Sequence, residues 1–149
     1  MAVAEHYLPS FYKDALPSSK YGAIVSVADK IETLISIFIS GKRPSGSSDP
    51  YALRRNLNGV IKIIWDYELD LPLEKLFNEL IDFWKIEFPN LDFSKKEVLN
   101  DLIEFLVQRI VSHLEEISLS KELIKALYSS DEFSPVSYTH LRAHETAQY

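Results

Sequence analysis

The chain has 149 residues, enough for one ordinary domain or for two small helical units that share a core. Hydrophobic residues make up 46% of it and charged residues 26%, as in folded proteins of ordinary composition, whereas cysteine is absent. Disulfides, thiolate metal sites and a cysteine nucleophile are thereby excluded. The net charge of −6 argues against a uniformly basic surface that binds any nucleic acid non-specifically. No apolar run reaches the ~18 residues of a membrane span, and the cytoplasm is the expected compartment.

The first long helix is predicted between Lys20 and Ser40, where apolar residues recur every three or four positions. Gly41 tolerates the left-handed backbone of a helix C-terminus, so we expect the helix to end there. A polar loop follows. Asp49 and Pro50 then predict the start of a second helix, with the aspartate as its N-cap and the proline in the first helical position.

Further helices are predicted in the second half of the chain. The third has its apolar face between Leu73 and Trp84 and ends before Pro89. The segment Ser94-Lys-Lys-Glu97 has the spacing of a capping box and starts a fourth. A last helix is predicted from about Ser120 to Tyr128. Because no strand-like alternation competes, the predicted fold class is all-α, a helical bundle of about five to six helices.

The chain contains a local basic patch although its net charge is negative. The patch contains five cations in a short stretch whose only acidic residue is Asp49: Lys42, Arg43, Arg54, Arg55 and Lys62. Arg54 and Arg55 fall near a helix N-terminus, whose free N–H groups can also bind phosphate oxygens. A phosphate-contact role for these two arginines is therefore one interpretation. The other is that they are ordinary solvated cations or members of ion pairs within the fold.

Three segments resemble the β subunit of bacterial glycyl-tRNA synthetase. The first is Glu5-His-Tyr-Leu-Pro9, followed by Ala28-Asp-Lys-Ile-Glu-Thr-Leu34. The second is Gly41-Lys-Arg-Pro-Ser-Gly46, which leads into Asp49-Pro-Tyr-Ala-Leu-Arg-Arg55, and it is the most specific. The third is Leu102-Ile-Glu-Phe-Leu-Val-Gln-Arg109 with Glu122-Leu-Ile-Lys-Ala-Leu127. Together they span residues 2 to about 130 in the order of the family.

The resemblance implies a non-catalytic part of a glycine–tRNA ligase, an aminoacyl-tRNA synthetase of translation. The subunit in this family is several times longer than the chain and works with a separate catalytic α subunit, which uses ATP and Mg²⁺. The β subunit contributes tRNA binding, so the implied partners are the α subunit, tRNA(Gly) and the other domains of the β subunit. The candidate tRNA contacts are Lys42, Arg43, Arg54 and Arg55. We expect a fragment that holds no cofactor and is inactive alone.

The resemblance also implies a domain organisation. Residues 1–70 would be the C-terminal part of a helical region similar to HD phosphohydrolases, and residues 71–133 a helical region that leads to an anticodon-binding domain. The tail, 134–149, is expected to be non-native or disordered, because its segment from Val136 to Thr146 resembles a translated sequencing adapter. Histidines and charges in that tail are therefore excluded from any site.

Two alternatives to a tRNA-binding fragment remain, a metal-dependent HD-type phosphohydrolase domain and a purely structural helical scaffold. Asp29 lies in a sequence that resembles the HD helix carrying the last aspartate ligand. A metal site needs converging histidines and a second carboxylate, however, and only His6 and His113 precede the tail. We therefore predict no metal site and no catalytic residues, and an ordinary helix-surface role for Asp29, paired with Lys30 or another polar neighbour.

Overall fold

The computed structural model describes residues 2–10 and 14–116. In this part of the chain a short 3-10 helix at Ala2–Glu5 precedes four α-helices. These are α1 (Lys20–Ile39), α2 (Leu53–Asp66), α3 (Leu73–Glu87) and α4 (Lys95–Glu116). No strand occurs among these residues, apart from one isolated bridge between Ser45 and Ser48.

The all-α prediction is confirmed, although the described residues contain four α-helices and not five to six. The helix predicted at Ser120–Tyr128 and the tail lie outside the described residues. The boundaries at residues 70 and 133, and the HD-like and anticodon-binding assignments, stay predictions. No helix in 2–10 and 14–116 is long and apolar enough to cross a membrane.

Helix α1 lies at the centre of the bundle, in contact with α2, α3 and α4. Its buried Phe38 ring packs on that of Phe105 from α4, with 5.5 Å between the ring centroids. The fully buried large side chains come from all four helices and confirm the apolar faces read from the sequence. They include Ile31, Leu34, Ile35, Leu53, Leu57, Ile63, Phe77, Ile81, Leu102, Leu106 and Leu114.

Helix α1 ends as predicted, because Gly41 adopts a positive φ of 78°. The N–H of Gly41 donates to the carbonyl of Phe38 at 3.0 Å, and the N–H of Lys42 donates to that of Ile37 at 3.2 Å. This pair of bonds is the Schellman ending of a helix, which satisfies the last carbonyls. It also fixes the direction in which the basic loop leaves the helix.

Helix α2 begins later than predicted. Pro50 lies in a turn, and the helix starts at Leu53 after Ala52, whose φ is 55°. The prediction of Pro50 as the first helical residue is therefore wrong. Asp49 still caps the helix from four residues upstream, since its carboxylate accepts from the N–H of Leu53 at 2.8 Å and of Arg54 at 3.0 Å. The turn brings the aspartate back over the helix end, so its capping function survives the shift in register.

Candidate nucleic-acid interface

A cleft of about 390 Å³ opens between the N-terminal segment, α2 and α4. Three of the side chains that line it are basic and come from α2: Arg54, Arg55 and Lys62. The other lining residues are Pro9, Asp49, Ala52, Asn58, Gly59 and His113. Because residues three to four apart share a helix face, Arg55, Asn58 and Lys62 form one row along the cleft.

The basic side chains of the cleft differ in how firmly they are held. Arg55 is exposed and Arg54 is half-buried. Lys62 donates from Nζ to the backbone carbonyl of Asp14 at 3.2 Å, which ties the cleft to the segment before α1. Arg54 and Arg55 are therefore better placed than Lys62 to give their donors to a ligand.

The N-terminus of α2 does not offer the anion site that the sequence suggested. Asp49 already accepts from the first two helical N–H groups, and its carboxylate also lines the cleft. The expectation of free N–H groups for phosphate is therefore wrong at Leu53 and Arg54. An anion in the cleft is therefore expected to be held chiefly by side chains, against the opposing charge of Asp49.

Arg109, from α4, adds a further cation beside Arg54. Its Nη2 donates to Ser112 Oγ at 3.0 Å, while its buried Nε has no hydrogen-bond partner among the described residues. Burial lowers the pKa of Arg109 from its usual value and Arg54 lowers it further, whereas Glu116 and Asp49 oppose the change. No local sequence pattern links Arg109 on α4 to the basic patch, so its place beside Arg54 could not be predicted from the sequence.

Lys42 and Arg43 do not line the cleft. Lys42 Nζ lies 4.7 Å from the centre of the Tyr51 ring and hydrogen-bonds its hydroxyl. Arg43 binds Asp101 of α4 at 2.7 Å and donates to the carbonyl of Phe38 at 2.6 Å. The four predicted tRNA contacts are thus divided between two places, and Arg43 is engaged within the fold.

We expect Arg43→Ala to lower the free energy of unfolding by about 1 kcal/mol, since it removes a partly exposed ion pair and a helix-end hydrogen bond. Urea unfolding of the variant measures the change. Arg55→Ala is the matched control, because it removes an exposed arginine and should stay within ~0.5 kcal/mol of the parent. Equal losses for the two variants would contradict the internal role of Arg43.

The N-terminal wall of the cleft is held by Lys30 of α1, which is only 3% exposed. Its Nζ donates to three backbone carbonyls, those of His6 at 3.3 Å, Tyr7 at 3.1 Å and Leu8 at 3.2 Å. Ser26 Oγ, which itself donates to the Leu8 carbonyl, lies 3.0 Å from the same Nζ, so the three ammonium protons are shared among four acceptors. We name this arrangement the Lys30 clamp. Burial lowers the pKa of Lys30, an effect that nearby acidic side chains oppose.

The Lys30 clamp corrects the surface role that the sequence gave to this part of α1. Asp29 is exposed, as expected, but Lys30 points inward to the N-terminal segment and not to a surface partner. Gly59 of α2 permits the close packing, because a Cβ there would lie 3.0 Å from Lys30 Cε and 3.4 Å from Pro9 Cγ. The clamp thereby places Pro9 against α2 as one wall of the cleft.

The described residues show no group of three or more His, Asp or Glu side chains that could hold a metal ion. His113 lies at the cleft with its ring 4.6 Å from that of Trp65, and His6 lies beside Tyr7 at the N-terminal segment. The prediction of no cofactor in this part of the protein is not tested by this arrangement and stays a prediction.

Comparisons with known proteins identify the family. Residues 1–129 match the family model described as glycyl-tRNA synthetase beta subunit. The glycine–tRNA ligase beta subunit of Clostridioides difficile is 35% identical over 144 residues, which are 97% of this chain and 20% of that protein. The glycine–tRNA ligase beta subunit of Halothermothrix orenii is 41% identical over 126 residues, which are 85% of this chain and 17% of that protein. The glycine–tRNA ligase beta subunit of Halalkalibacterium halodurans is 40% identical over 128 residues, which are 86% of this chain and 18% of that protein.

The chain thus spans about a fifth of the length of these curated relatives. The family match ends at residue 129, before the tail, whereas the similarity to the C. difficile protein covers 144 residues and reaches into it. The interpretation of residues 136–146 as a translated adapter therefore stays a prediction. The family model matches residues 1–129, which are most of the chain, so the protein belongs to the glycyl-tRNA synthetase beta subunit family.

Proposed function

We propose that this chain is a tRNA-contacting helical part of a cytoplasmic glycine–tRNA ligase. In this proposal it acts beside a catalytic α subunit, which uses ATP and Mg²⁺, and beside the other domains of the β subunit. The proposal is supported by the family and by the names of the relatives, glycine–tRNA ligase beta subunits. The chain's own contribution is to hold tRNA(Gly), with the chemistry on the partner.

The observation that carries the proposal is the convergence of Arg54, Arg55 and Lys62 on one cleft in a chain whose net charge is −6. Among the described residues, only one acidic side chain, that of Asp49, lines the cleft with them. Arg109 behind Arg54 adds positive potential without reaching the lining. A concentrated cationic cleft on an acidic protein attracts a phosphate backbone locally and leaves the other surfaces unattractive to RNA.

The contact is expected to be with phosphates and not with base edges. Guanidinium groups bind phosphate oxygens through two parallel hydrogen bonds, and such contacts fix the position of a nucleic acid without reading its sequence. Arg55 is the exposed member and Arg54 the half-buried one. We therefore place the tRNA backbone across the outer edge of the cleft, with Arg55 in first contact.

The alternative of an HD-type phosphohydrolase is not favoured, because no observation on the described residues speaks for it. Asp29 is exposed and belongs to no cluster of possible ligands there. A purely structural scaffold differs from a tRNA-contacting part in the expected dependence of tRNA affinity on salt concentration. Charge-driven binding has a salt slope that depends on the number of phosphates contacted, and helix packing has none.

The test replaces Arg54 and Arg55 with alanine in the full α/β enzyme. We expect tRNA(Gly) affinity to fall about tenfold at low salt, and the slope of log affinity against log salt to fall by about 1.4–1.8 units, 0.7–0.9 for each phosphate that an arginine no longer neutralises. Glycine activation without tRNA should be unchanged. The helix should survive, because alanine is a good helix former and the buried face of α2 is untouched.

The control removes the same charge elsewhere, by Lys75→Ala with Lys96→Ala, two exposed lysines outside the cleft. It separates a local contact from a change in overall charge. Equal salt slopes for the parent and the arginine variant, with the variant still folded, would reject phosphate contacts and leave the scaffold interpretation.

A further inference from the structure

Lys42 and Tyr51 lie together on the surface just outside the cleft. Both side chains are exposed, that of Tyr51 by 38%. Lys42 Nζ hydrogen-bonds the Tyr51 hydroxyl and lies 4.7 Å from the centre of its ring. Because the ammonium group is held at the hydroxyl end of the tyrosine, it does not cover the centre of either ring face. We call the two side chains the Tyr51–Lys42 pair.

The Tyr51–Lys42 pair adjoins the cleft through the backbone. Asp49 and Ala52, which precede and follow Tyr51 in the same turn, both line the cleft. Arg55, the exposed arginine of the cleft, is four positions after Tyr51, and four residues span at most ~14 Å. A nucleic-acid strand advances about 3.4 Å per nucleotide in a duplex. Tyr51 and Arg55 are therefore within a few nucleotides of each other along one bound strand.

The turn that carries Tyr51 is fixed by hydrogen bonds. The N–H of Ala52 donates to the carbonyl of Asp49 at 3.1 Å, and the Asp49 carboxylate accepts from the first two N–H groups of α2. These bonds keep Ala52 at a φ of 55°, a left-handed conformation that alanine rarely adopts. The preceding loop is closed by two bonds of 2.8 and 3.1 Å between Ser45 and Ser48. An aromatic side chain on such a backbone loses little freedom when a ligand binds to it.

An exposed tyrosine with an ammonium group at one end has the chemistry that binds a nucleotide. The face of the ring can stack on any base, because every base has a π face. The ammonium group of Lys42 has three donors, of which the Tyr51 hydroxyl takes one, so it can also contact a phosphate. A base inside a double helix is stacked between its neighbours, whereas an unpaired base can be splayed out onto a side chain. The pair therefore fits an unpaired nucleotide of an RNA.

We propose that the Tyr51–Lys42 pair binds an unpaired nucleotide of tRNA(Gly). The base stacks on the ring of Tyr51, Lys42 contacts a phosphate next to that base, and the strand continues along the cleft to Arg55. This inference rests on the proposed function, since it follows the same strand beyond the cleft. It adds contact with the face of a base to the phosphate contacts, and it gives Lys42 a place in RNA binding although this residue does not line the cleft.

Tyr51→Leu in the full α/β enzyme tests the stacking, because leucine removes the ring without removing a charge. We expect the affinity for tRNA(Gly) to fall about tenfold with an unchanged salt slope, as the loss of one stacked base does. Tyr51→Phe keeps the ring and should stay within about threefold of the parent. Lys42→Met should instead lower the salt slope by about 0.7 for one phosphate of a single strand. Tyr21→Leu is the matched control, since Tyr21 is exposed on α1 and lies outside the cleft.

The salt slope also separates this inference from the proposed function. If the phosphate contacts of the cleft are absent, the variant without Arg54 and Arg55 keeps the salt slope of the parent. If only the stacking is absent, that variant loses slope while Tyr51→Leu keeps the parent's affinity, which would overturn the inference alone. Equal losses for Tyr51→Leu and Tyr51→Phe would also overturn it, because they would assign the effect to the hydroxyl and not to the ring.

Photocrosslinking is a second measurement that does not depend on affinity. The photoreactive amino acid p-benzoylphenylalanine replaces Tyr51 in the full α/β enzyme, the complex with tRNA(Gly) is irradiated, and primer extension locates the crosslinked nucleotides. We expect crosslinks at one or a few adjacent nucleotides that are unpaired in the tRNA, and none from the same replacement at Tyr21. Crosslinks confined to base-paired stems, or no crosslink from position 51, would overturn the inference.

Discussion

Replacing Lys30 with methionine is expected to lower the free energy of unfolding by about 2 kcal/mol, because hydrogen bonds made by a charged group each contribute about 1.5–3 kcal/mol. The substitution keeps the approximate length of the side chain but removes the ammonium group that bonds three carbonyls and Ser26 Oγ. The Ser26 hydroxyl still donates to the Leu8 carbonyl, and that of Ser10 to the Tyr7 carbonyl. The loss should be smaller than the sum of these costs, since methionine avoids the desolvation that lowers the pKa of Lys30. Urea unfolding measures it.

Lys96→Met is the control for this variant, because Lys96 is exposed on α4 and should change stability by less than ~0.5 kcal/mol. The Lys30 clamp also positions Pro9 in the wall of the cleft. The Lys30 variant in the full enzyme should therefore bind tRNA less tightly at a temperature where it is folded, with Arg54 and Arg55 still present. A stability loss no larger than that of the control would show that the clamp contributes nothing.

Gly59→Val is expected to cost about 2–3 kcal/mol, as overpacking of a well-packed site does. Whether the substitution stabilises or destabilises the protein depends on one contact, in which a Cβ at position 59 would lie 3.0 Å from Lys30 Cε. A lysine without partners would move aside at little cost, but the hydrogen bonds of the Lys30 clamp hold this one in place. The better helix propensity of valine over glycine, worth less than ~1 kcal/mol, recovers only part of the loss.

A double-mutant cycle with Lys30→Met isolates this contact. Because methionine is not tethered, the combined variant should lose less stability than the sum of the two single variants, by about 1 kcal/mol or more. Gln108→Val provides a control for valine in an exposed helical position. Strict additivity of the two changes would mean that valine is rejected for some other reason than the clamped lysine.

Local sequence patterns were enough to predict the helices and several of their ends. The apolar period of 3.6 residues predicted the buried faces of α1 to α4, and Gly41 predicted the left-handed end of α1, because these features depend on neighbours in sequence. The same patterns placed Arg54 and Arg55 together at the start of α2. Three segments of the sequence also indicated the family, which the match of residues 1–129 to the family model then showed.

The partners of the charged side chains were decided by the tertiary structure alone. Arg43 binds Asp101, 58 positions away, and Lys30 binds the carbonyls of residues 22 to 24 positions before it. Arg109 joins Arg54 from another helix. A long cationic side chain can point to solvent, to a carboxylate or to a backbone carbonyl with little change in local preference. Only the packing of distant elements, which sets burial and distance, selects among these outcomes and so decides which cations remain for a phosphate.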